Sequence, residues 1–151
     1  MPGSSLTPWA PMLTSRIEGP ALRDSGSFRD PGGYVFASGD DVIRTINASA
    51  VANFGALRAS GLLETLPARK LLINSEILDV PKRTLATYAG ARGETPELIV
   101  RHPRVPFVSY PYEWIFSQLK DAAIAHLDLQ LAALEANFEL SDATAYNMQF
   151  L

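Results

Sequence analysis

The feature that most constrains the fold is a long apolar repeat that runs from Glu113 to Glu139 without a glycine or a proline. Apolar residues recur in it every three or four positions, which is the period of one face of an α-helix. They are Phe116, Leu119, Ala123, Leu127, Leu131, Leu134 and Phe138. A second apolar set, including Ile115, Ala122 and Leu129, widens that face. The pattern predicts a helix about 40 Å long at 1.5 Å per residue, and we expect it to be buried on several sides.

The segment after the helix bears on whether the chain is a whole domain. Residues 140–147 read LSDATAYN, which predicts a polar turn, and Met148–Leu151 form the apolar run MQFL. A domain rarely ends on the exposed first residues of a strand. We therefore expect the helical part to be truncated at its C-terminus, with an unfinished strand edge through which a second copy can associate.

Composition excludes several classes of function. The 151 residues are 47% hydrophobic, which is typical of a chain with a packed core. Thirteen basic and sixteen acidic residues give a net charge of −3, so there is no electrostatic case for binding nucleic acid. The lack of cysteine excludes disulfides and thiolate metal sites. No segment has the ~20 apolar residues of a membrane span, and none is typical of a signal peptide. We expect a cytoplasmic protein without membrane or nucleic-acid partners.

The residues before the helix predict a small β-rich part. Tyr34–Phe36 and Val42–Ile46 are β-branched and aromatic, and Ser38–Asp40 between them predicts a hairpin turn. Helical spacing follows over 51–66, with a break at Gly61. Further strands are predicted within 71–80, at 98–100 and at 105–108, with a loop or ragged hairpin over 82–96. The predicted class is α+β: a small, mostly antiparallel sheet with one helix, linked to a long buried helix.

The predicted organisation has four parts. Residues 1–25 are rich in proline, serine and glycine without a period, which predicts a disordered leader. A β-rich lobe then covers 26–108, a hinge-like connector covers 109–112, and the helical part covers 113–151. The aromatic residues around the connector are expected to pack into the core, because aromatic side chains mostly serve burial.

Two sets of residues have the spacing of a phosphotransferase site. Asp142 and Asn147, in a turn after a long helix, resemble the protein-kinase catalytic loop, in which the aspartate orients the accepting hydroxyl and the asparagine holds a metal. Gly32, Gly33 and Arg44 resemble the kinase glycine-rich loop and its phosphate-binding lysine. The resemblance implies a degenerate kinase-like fold, an N-lobe with the start of a C-lobe. It predicts Asp142 as catalytic, Asn147 as a Mg²⁺ ligand, and the other three on the phosphates of ATP.

The same residues also have a purely structural interpretation. Leu140-Ser141 replaces the His-Arg of the kinase loop, and an arginine is a poor substitute for the point charge of a lysine. Asp142 and Asn147 can instead close a turn through a bond from side chain to backbone. The two histidines have no partners at metal-ligand spacing, and His102, which lies close to Pro103 and Pro106, is expected to be exposed.

A longer resemblance covers most of the chain. It rests on FRDPGGYVF, VIRTIN, SGLLETL, VPFVSYPYEWIFSQLKDAAIAHLDLQLAALE and LSDATAYNMQF. These segments resemble the N-terminal region of a group of bacterial class I SAM-dependent methyltransferases, some of them labelled nodulation-type proteins. The resemblance implies a larger protein whose methyltransferase domain lies beyond Leu151 and holds the SAM. Neither the glycine-rich cofactor turn nor the ribose-binding acid of that fold is present in residues 1–151, so no SAM-binding residue is expected here.

Three functions remain open at this stage. The resemblance implies an accessory region, substrate-presenting or regulatory, that is inactive alone and has the downstream methyltransferase domain as its partner. The kinase-like spacing implies a nucleotide-binding phosphotransferase or a pseudokinase. A structural interaction domain is the third, and it predicts no response to ATP or to SAM.

Overall fold

Within residues 21–90 and 93–150, which the computed structural model describes, the protein is a small antiparallel sheet with four α-helices. The predicted α+β class is therefore confirmed. The strands are β1 (Leu22–Arg23), β2 (Val35–Ser38), β3 (Asp41–Ile46), β4 (Glu76–Leu78) and β5 (Leu98–Pro103). The helices are α1 (Ala48–Ala59), α2 (Leu62–Ala68), α3 (Lys82–Ala86) and α4 (Phe116–Glu135). Short 3-10 helices cover Ser25–Arg29, Pro111–Glu113 and Ala145–Asn147.

The sheet has the strand order β1-β2-β3-β5-β4, with every neighbouring pair antiparallel. The predicted hairpin is confirmed: Ser38 lies opposite Asp41, so Gly39 and Asp40 form a two-residue turn between β2 and β3. β3 then pairs with β5 over its whole length. The two edge strands, β1 and β4, have only two and three residues, which leaves little backbone open for pairing with another chain.

One cluster of apolar side chains forms the core on the sheet. Phe36, Ile43 and Ile99 come from three neighbouring strands and pack together with Leu78 and Tyr88. The rings of Phe36 and Tyr88 meet edge to face with their centroids 5.1 Å apart. Such a pair adds about 0.5–1.5 kcal/mol beyond the burial of its area. Because no solvent reaches Ile43 or Ile99, this core is closed within the chain itself.

The helical segment after β3 is divided in two, as the sequence predicted. α1 ends at Ala59, and Gly61 adopts a φ of 76°, a left-handed conformation that favours glycine. α2 begins at the next residue, and its buried Leu62 and Leu66 face α4.

Several short segments differ from the sequence prediction. β1 lies within the predicted leader, of which residues 1–20 are outside the described part of the chain. Only β4 forms within 71–80, and residues 105–108 form no strand. The predicted loop 82–96 begins with the helix α3. The carbonyl of Pro81 accepts two backbone hydrogen bonds from the first turn of that helix. Segments of two to five residues have too few positions for a hydrophobic period to be read.

α4 is present but shorter than the predicted 113–139. It begins after Ile115, whose backbone N–H donates to the Gln118 side chain at 3.1 Å. It ends because Asn137 takes a φ of 61°, and the Phe138 N–H then bonds back to the carbonyl of Ala133 at 2.8 Å. This is the Schellman motif, which satisfies the last carbonyls of a helix with a left-handed residue such as asparagine.

The C-terminal run does not form the predicted strand over residues 148–150. Instead the side chain of Gln149 binds the backbone of Ser109: its Oε1 accepts from the N–H at 2.9 Å, and its Nε2 donates to the carbonyl at 3.1 Å. The rings of Trp114 and Phe150 meet edge to face at 5.1 Å. One side-chain amide thus makes the two bonds that a neighbouring strand would make, so the strand prediction is wrong here. The last residue lies outside the described part.

Candidate functional site

The two glycines predicted to bind phosphates lie in a turn that covers the start of α1. The carbonyl of Gly32 accepts from the backbone N–H of Asn47 at 2.8 Å. A Cβ on Gly33 would lie only 1.8 Å from the carbonyl oxygen of Thr45, so the turn packs directly on the backbone of β3. Within this arrangement, glycine is required at position 33 because of close backbone packing.

Arg44 lies beside this turn and is held there by a carboxylate. Its guanidinium forms a 2.5 Å ion pair with Asp30, and the other oxygen of that carboxylate accepts from the Gly32 N–H at 2.8 Å. The structure therefore brings Gly32, Gly33 and Arg44 together, as the sequence predicted. A phosphate at this position has to compete with the negative charge of Asp30 for the same donors.

Asp142 and Asn147, the predicted catalytic and metal residues, are joined by a bond from side chain to backbone, as the structural interpretation predicted. The side-chain amide of Asn147 donates to the backbone carbonyl of Asp142 at 2.9 Å, and both residues are exposed. No hydrogen bond or ion pair links this turn to the Arg44 group among the described residues. The same residues contain no group of three or more His, Cys, Asp or Glu side chains arranged to hold a metal. The roles of Asp142 as catalytic and Asn147 as a Mg²⁺ ligand stay predictions.

α4 carries an exposed apolar face, which we call the outer face. It consists of Phe116, Ile124, Leu127, Leu131 and Leu134. Solvent reaches 82% of Phe116, 64% of Leu127 and 59% of Leu131. Only alanines of this helix are fully buried: Ala122, Ala132 and Ala133. The helix was expected to be buried on several sides, but the described part of this chain leaves these large apolar side chains exposed.

A groove borders the outer face on one side. It lies between α4 and the segment 143–148, has a volume of about 360 Å³, and is open to solvent. Its walls are almost wholly apolar, and His126 is the one titratable side chain among them. Lining residues include Leu119, Ala123, Leu127, Ala145 and Met148. Because Leu127 belongs to both, the groove and the outer face form one continuous apolar surface.

Most aromatic residues at the connector are exposed rather than packed in a core. The rings of Tyr110 and Tyr112 stack at an interplanar angle of 3° with centroids 5.6 Å apart, and 75% of Tyr112 is exposed. Phe107 and Tyr146 are exposed as well. Local bonds hold the connector, since the Trp114 indole donates to the Ser109 hydroxyl at 2.9 Å. The expected burial is wrong for Tyr110, Tyr112 and Phe116, whereas Trp114 is half-buried, because exposure cannot be inferred from residue type alone.

Two polar side chains of β5, Arg101 and His102, bond to residues on or beside the neighbouring strands. Arg101 is nearly buried on β5 and forms ion pairs with Glu76, its direct neighbour on β4, and with Asp41, at 3.8 Å. His102 is half-buried rather than exposed, and its Nδ1 lies 3.2 Å from the Ser75 hydroxyl. Burial lowers the pKa of His102 below its usual value, against a hydrogen bond with the Asn74 carbonyl that raises it.

Together, the fold and this surface define an α+β module with one large uncovered apolar face. No known family model matches the chain, and no solved structure matches it. The chain is similar to the nodulation protein NoeA of Rhizobium meliloti (strain 1021), with 38% identity over 128 residues. That match covers 85% of this chain and 25% of NoeA, so the chain spans about a quarter of the length of this relative.

No helix in the described residues is both long enough and apolar enough to cross a bilayer.

Proposed function

We propose that the chain is the accessory region of a longer bacterial protein, a SAM-dependent methyltransferase, in which it presents a substrate or regulates the enzyme. The observation that carries this proposal is the outer face of α4, which the described chain leaves exposed along its length. Burying one Leu or Phe side chain stabilises a structure by about 1.5–3 kcal/mol. A surface with this many such side chains is characteristic of a site where further polypeptide packs.

The ratio of lengths supports the same proposal. A relative that shares 38% of its residues over the matched segment is about four times longer than that segment. The methyltransferase part of the proposal is supported by the sequence resemblance described above. In a protein of that class the SAM site lies in the remainder of the chain, and this region contributes binding surface rather than reacting groups.

The test compares three proteins made from the gene that encodes this chain: the whole product, residues 1–151 alone, and the product without residues 1–151. We expect SAM to raise the melting temperature of the first and third but not of the second, because only a ligand that binds the folded state does so. We expect methyl transfer to fall at least tenfold when residues 1–151 are removed. A whole product that does not bind SAM, or a 151-residue chain that binds it alone, contradicts the proposal.

A second candidate is a nucleotide-binding module, either a kinase-like phosphotransferase or a pseudokinase. It is favoured by the gathering of Gly32, Gly33 and Arg44 beside the start of α1, where backbone N–H groups attract anions. ATP with Mg²⁺ should then raise the melting temperature of the whole product, and Arg44→Ala should abolish the shift. If Asn147→Ala leaves the shift intact, the predicted metal role of Asn147 is wrong.

The structural interaction domain is the remaining candidate. It predicts no shift with either ligand and self-association of the 151-residue chain. Light scattering at high protein concentration distinguishes it, since a monomer counts against self-association.

A further inference from the structure

The outer face of α4 has the geometry of a helix–helix seam. Successive residues turn by about 100° around a helix axis, so Phe116, Leu127 and Leu134 point within about 20° of one another. Ile124 and Leu131 lie next to them on one side. From Ile124 to Leu134 the row runs in steps of three and four residues, which is the pattern that packs into the grooves of a second helix. Between Phe116 and Ile124 the row is occupied by the exposed Lys120. A partner helix fits this face better than a strand does.

One edge of the seam carries a row of acidic side chains. Asp121, Asp128 and Glu135 are spaced seven residues apart, which shifts each by only about 20° around the helix. All three are exposed, and none forms an ion pair with another described residue. The opposite edge, with Leu119 and His126, carries no acid. In paired helices, charges at these flanking positions select the partner and its direction.

This charge pattern disfavours a second copy of the chain as the occupant, because each copy brings three acids but only one lysine, Lys120, to the seam. In an antiparallel pair of identical helices, like edges face each other, so the acidic rows would lie side by side and repel. In a parallel pair, each acidic row would face the edge with Leu119 and His126, which carries no lysine or arginine. A helix with lysine or arginine along one flank would instead pair with all three acids while its apolar face covers the seam.

We infer that the outer face of α4 is the seat of an amphipathic helix, basic along one flank, that belongs to the remainder of the longer protein. The inference rests on the proposed function, because it takes the occupant from the three-quarters of the relative's length that this chain does not span. The helix packs on Phe116, Leu127 and Leu134, and its basic flank meets the acidic row. The site thereby fixes the accessory region to the rest of the enzyme.

The absence of cysteine from the chain gives a direct test in the whole gene product. Leu127→Cys places a thiol at the centre of the outer face, and Leu22→Cys places one at a leucine of similar exposure on β1. Labelling by a thiol reagent is followed at each site by peptide mass spectrometry. We expect the thiol at 127 to react at least tenfold more slowly in the whole product than in residues 1–151. The thiol at 22 should react within twofold in both proteins.

The basic flank of the partner is tested by reversing charges. Asp121→Lys, Asp128→Lys and Glu135→Lys together should raise the labelling rate at 127 in the whole product at least threefold. The matched control carries the same change in net charge at exposed acids elsewhere: Asp40→Lys, Asp79→Lys and Glu97→Lys. It should leave the rate unchanged. Equal effects of the two triple variants would overturn the assignment of a basic partner.

Each other outcome identifies a different failure. If the whole product binds SAM but labels at 127 as fast as residues 1–151 do, the docking site is wrong while the proposed function stands. If no product longer than this chain exists, the proposed function itself fails. Slow labelling that is already present in residues 1–151 overturns the inference. It would assign the seam to a second copy if the rate depends on concentration, and to residues 1–20 if their removal restores it.

Discussion

The sheet and α4 are similarly rich in apolar residues, yet within the described residues only the sheet is closed by the chain that contains it. In the sheet, Ile43 and Ile99 are completely shielded from water, and the two edge strands are very short. In α4, the buried residues are alanines and the large side chains remain exposed. The difference teaches that apolar content predicts which surfaces favour burial. Whether such a surface is buried depends on segments distant in sequence that pack against it.

The polar groups follow the same division. In the sheet, the Thr45 hydroxyl oxygen accepts from the Tyr34 backbone N–H at 2.7 Å, and Arg101 is paired with carboxylates on two neighbouring strands. On α4, the acids along the seam have no ionic partner among the described residues. A buried polar group without a partner costs about 1–3 kcal/mol. These polar groups of the sheet have thus found partners within the chain, whereas the acids of α4 remain without an ionic partner in its described part.

The largest expected effect comes from truncating one leucine-sized side chain in each region. Ile99→Ala should lower the free energy of unfolding by about 3–4 kcal/mol, because it removes buried methyl groups and leaves a cavity. Leu127→Ala should change it by less than about 0.5 kcal/mol, as expected for an exposed site. Urea unfolding of the 151-residue chain measures both. Similar losses at the two sites would mean that α4 is covered within this chain.

A smaller effect is expected at the ion pairs of the sheet. Arg101→Ala should cost about 2–3 kcal/mol, since it leaves Glu76 beside the core without its partner. The loss is set at or below the ~3–5 kcal/mol of a fully buried pair because Glu76 keeps part of its surface in water. Charge reversal at Asp128 on α4 serves as the control and should cost almost nothing. Unfolding in urea at neutral pH separates the two, and equal costs would contradict the comparison.

Close packing at the turn beside α1 should have the next largest effect. Gly33→Ala places a methyl group against the Thr45 carbonyl and should cost about 2–3 kcal/mol, in the upper part of the range for overpacked sites, because the contact is with backbone. Gly55→Ala, in the middle of α1 with no atom within 4 Å of the added Cβ, should stabilise by about 0.5–1 kcal/mol. Thermal melts of the two variants should therefore shift in opposite directions. A neutral Gly33→Ala would show that the turn does not pack on β3.

The smallest effect concerns pH. Because burial lowers the pKa of His102 in the folded chain, the unfolded chain binds more protons between that pKa and about 6.5, the ordinary value. The contribution of His102 is present above about pH 6.5 and is lost as pH falls through its folded pKa. We expect His102→Gln to reduce the loss of stability between pH 7.5 and pH 5.5, measured by urea unfolding. An unchanged pH profile would contradict the burial of this ring.

The sequence alone determined the elements whose signal is local. The hairpin of β2 and β3, the break at Gly61 and the existence of α4 were all predicted, because a turn, a left-handed glycine and a long 3.6-residue period each act over a few neighbouring residues. The grouping of Gly32, Gly33 and Arg44 was also predicted, since one hairpin holds them together. The roles in phosphate binding stay predictions.

Only the tertiary structure decided what depends on distant partners. β1 forms because β2 offers it an edge, and the described C-terminal run is held not by strand pairing but by the Gln149 side chain, which binds the backbone of Ser109, forty residues earlier in the chain. The exposure of α4 is of the same kind: whether an apolar face is buried depends on the segments that fold against it. Pairing and burial are properties of the whole chain in space, so a local pattern in the sequence cannot determine them.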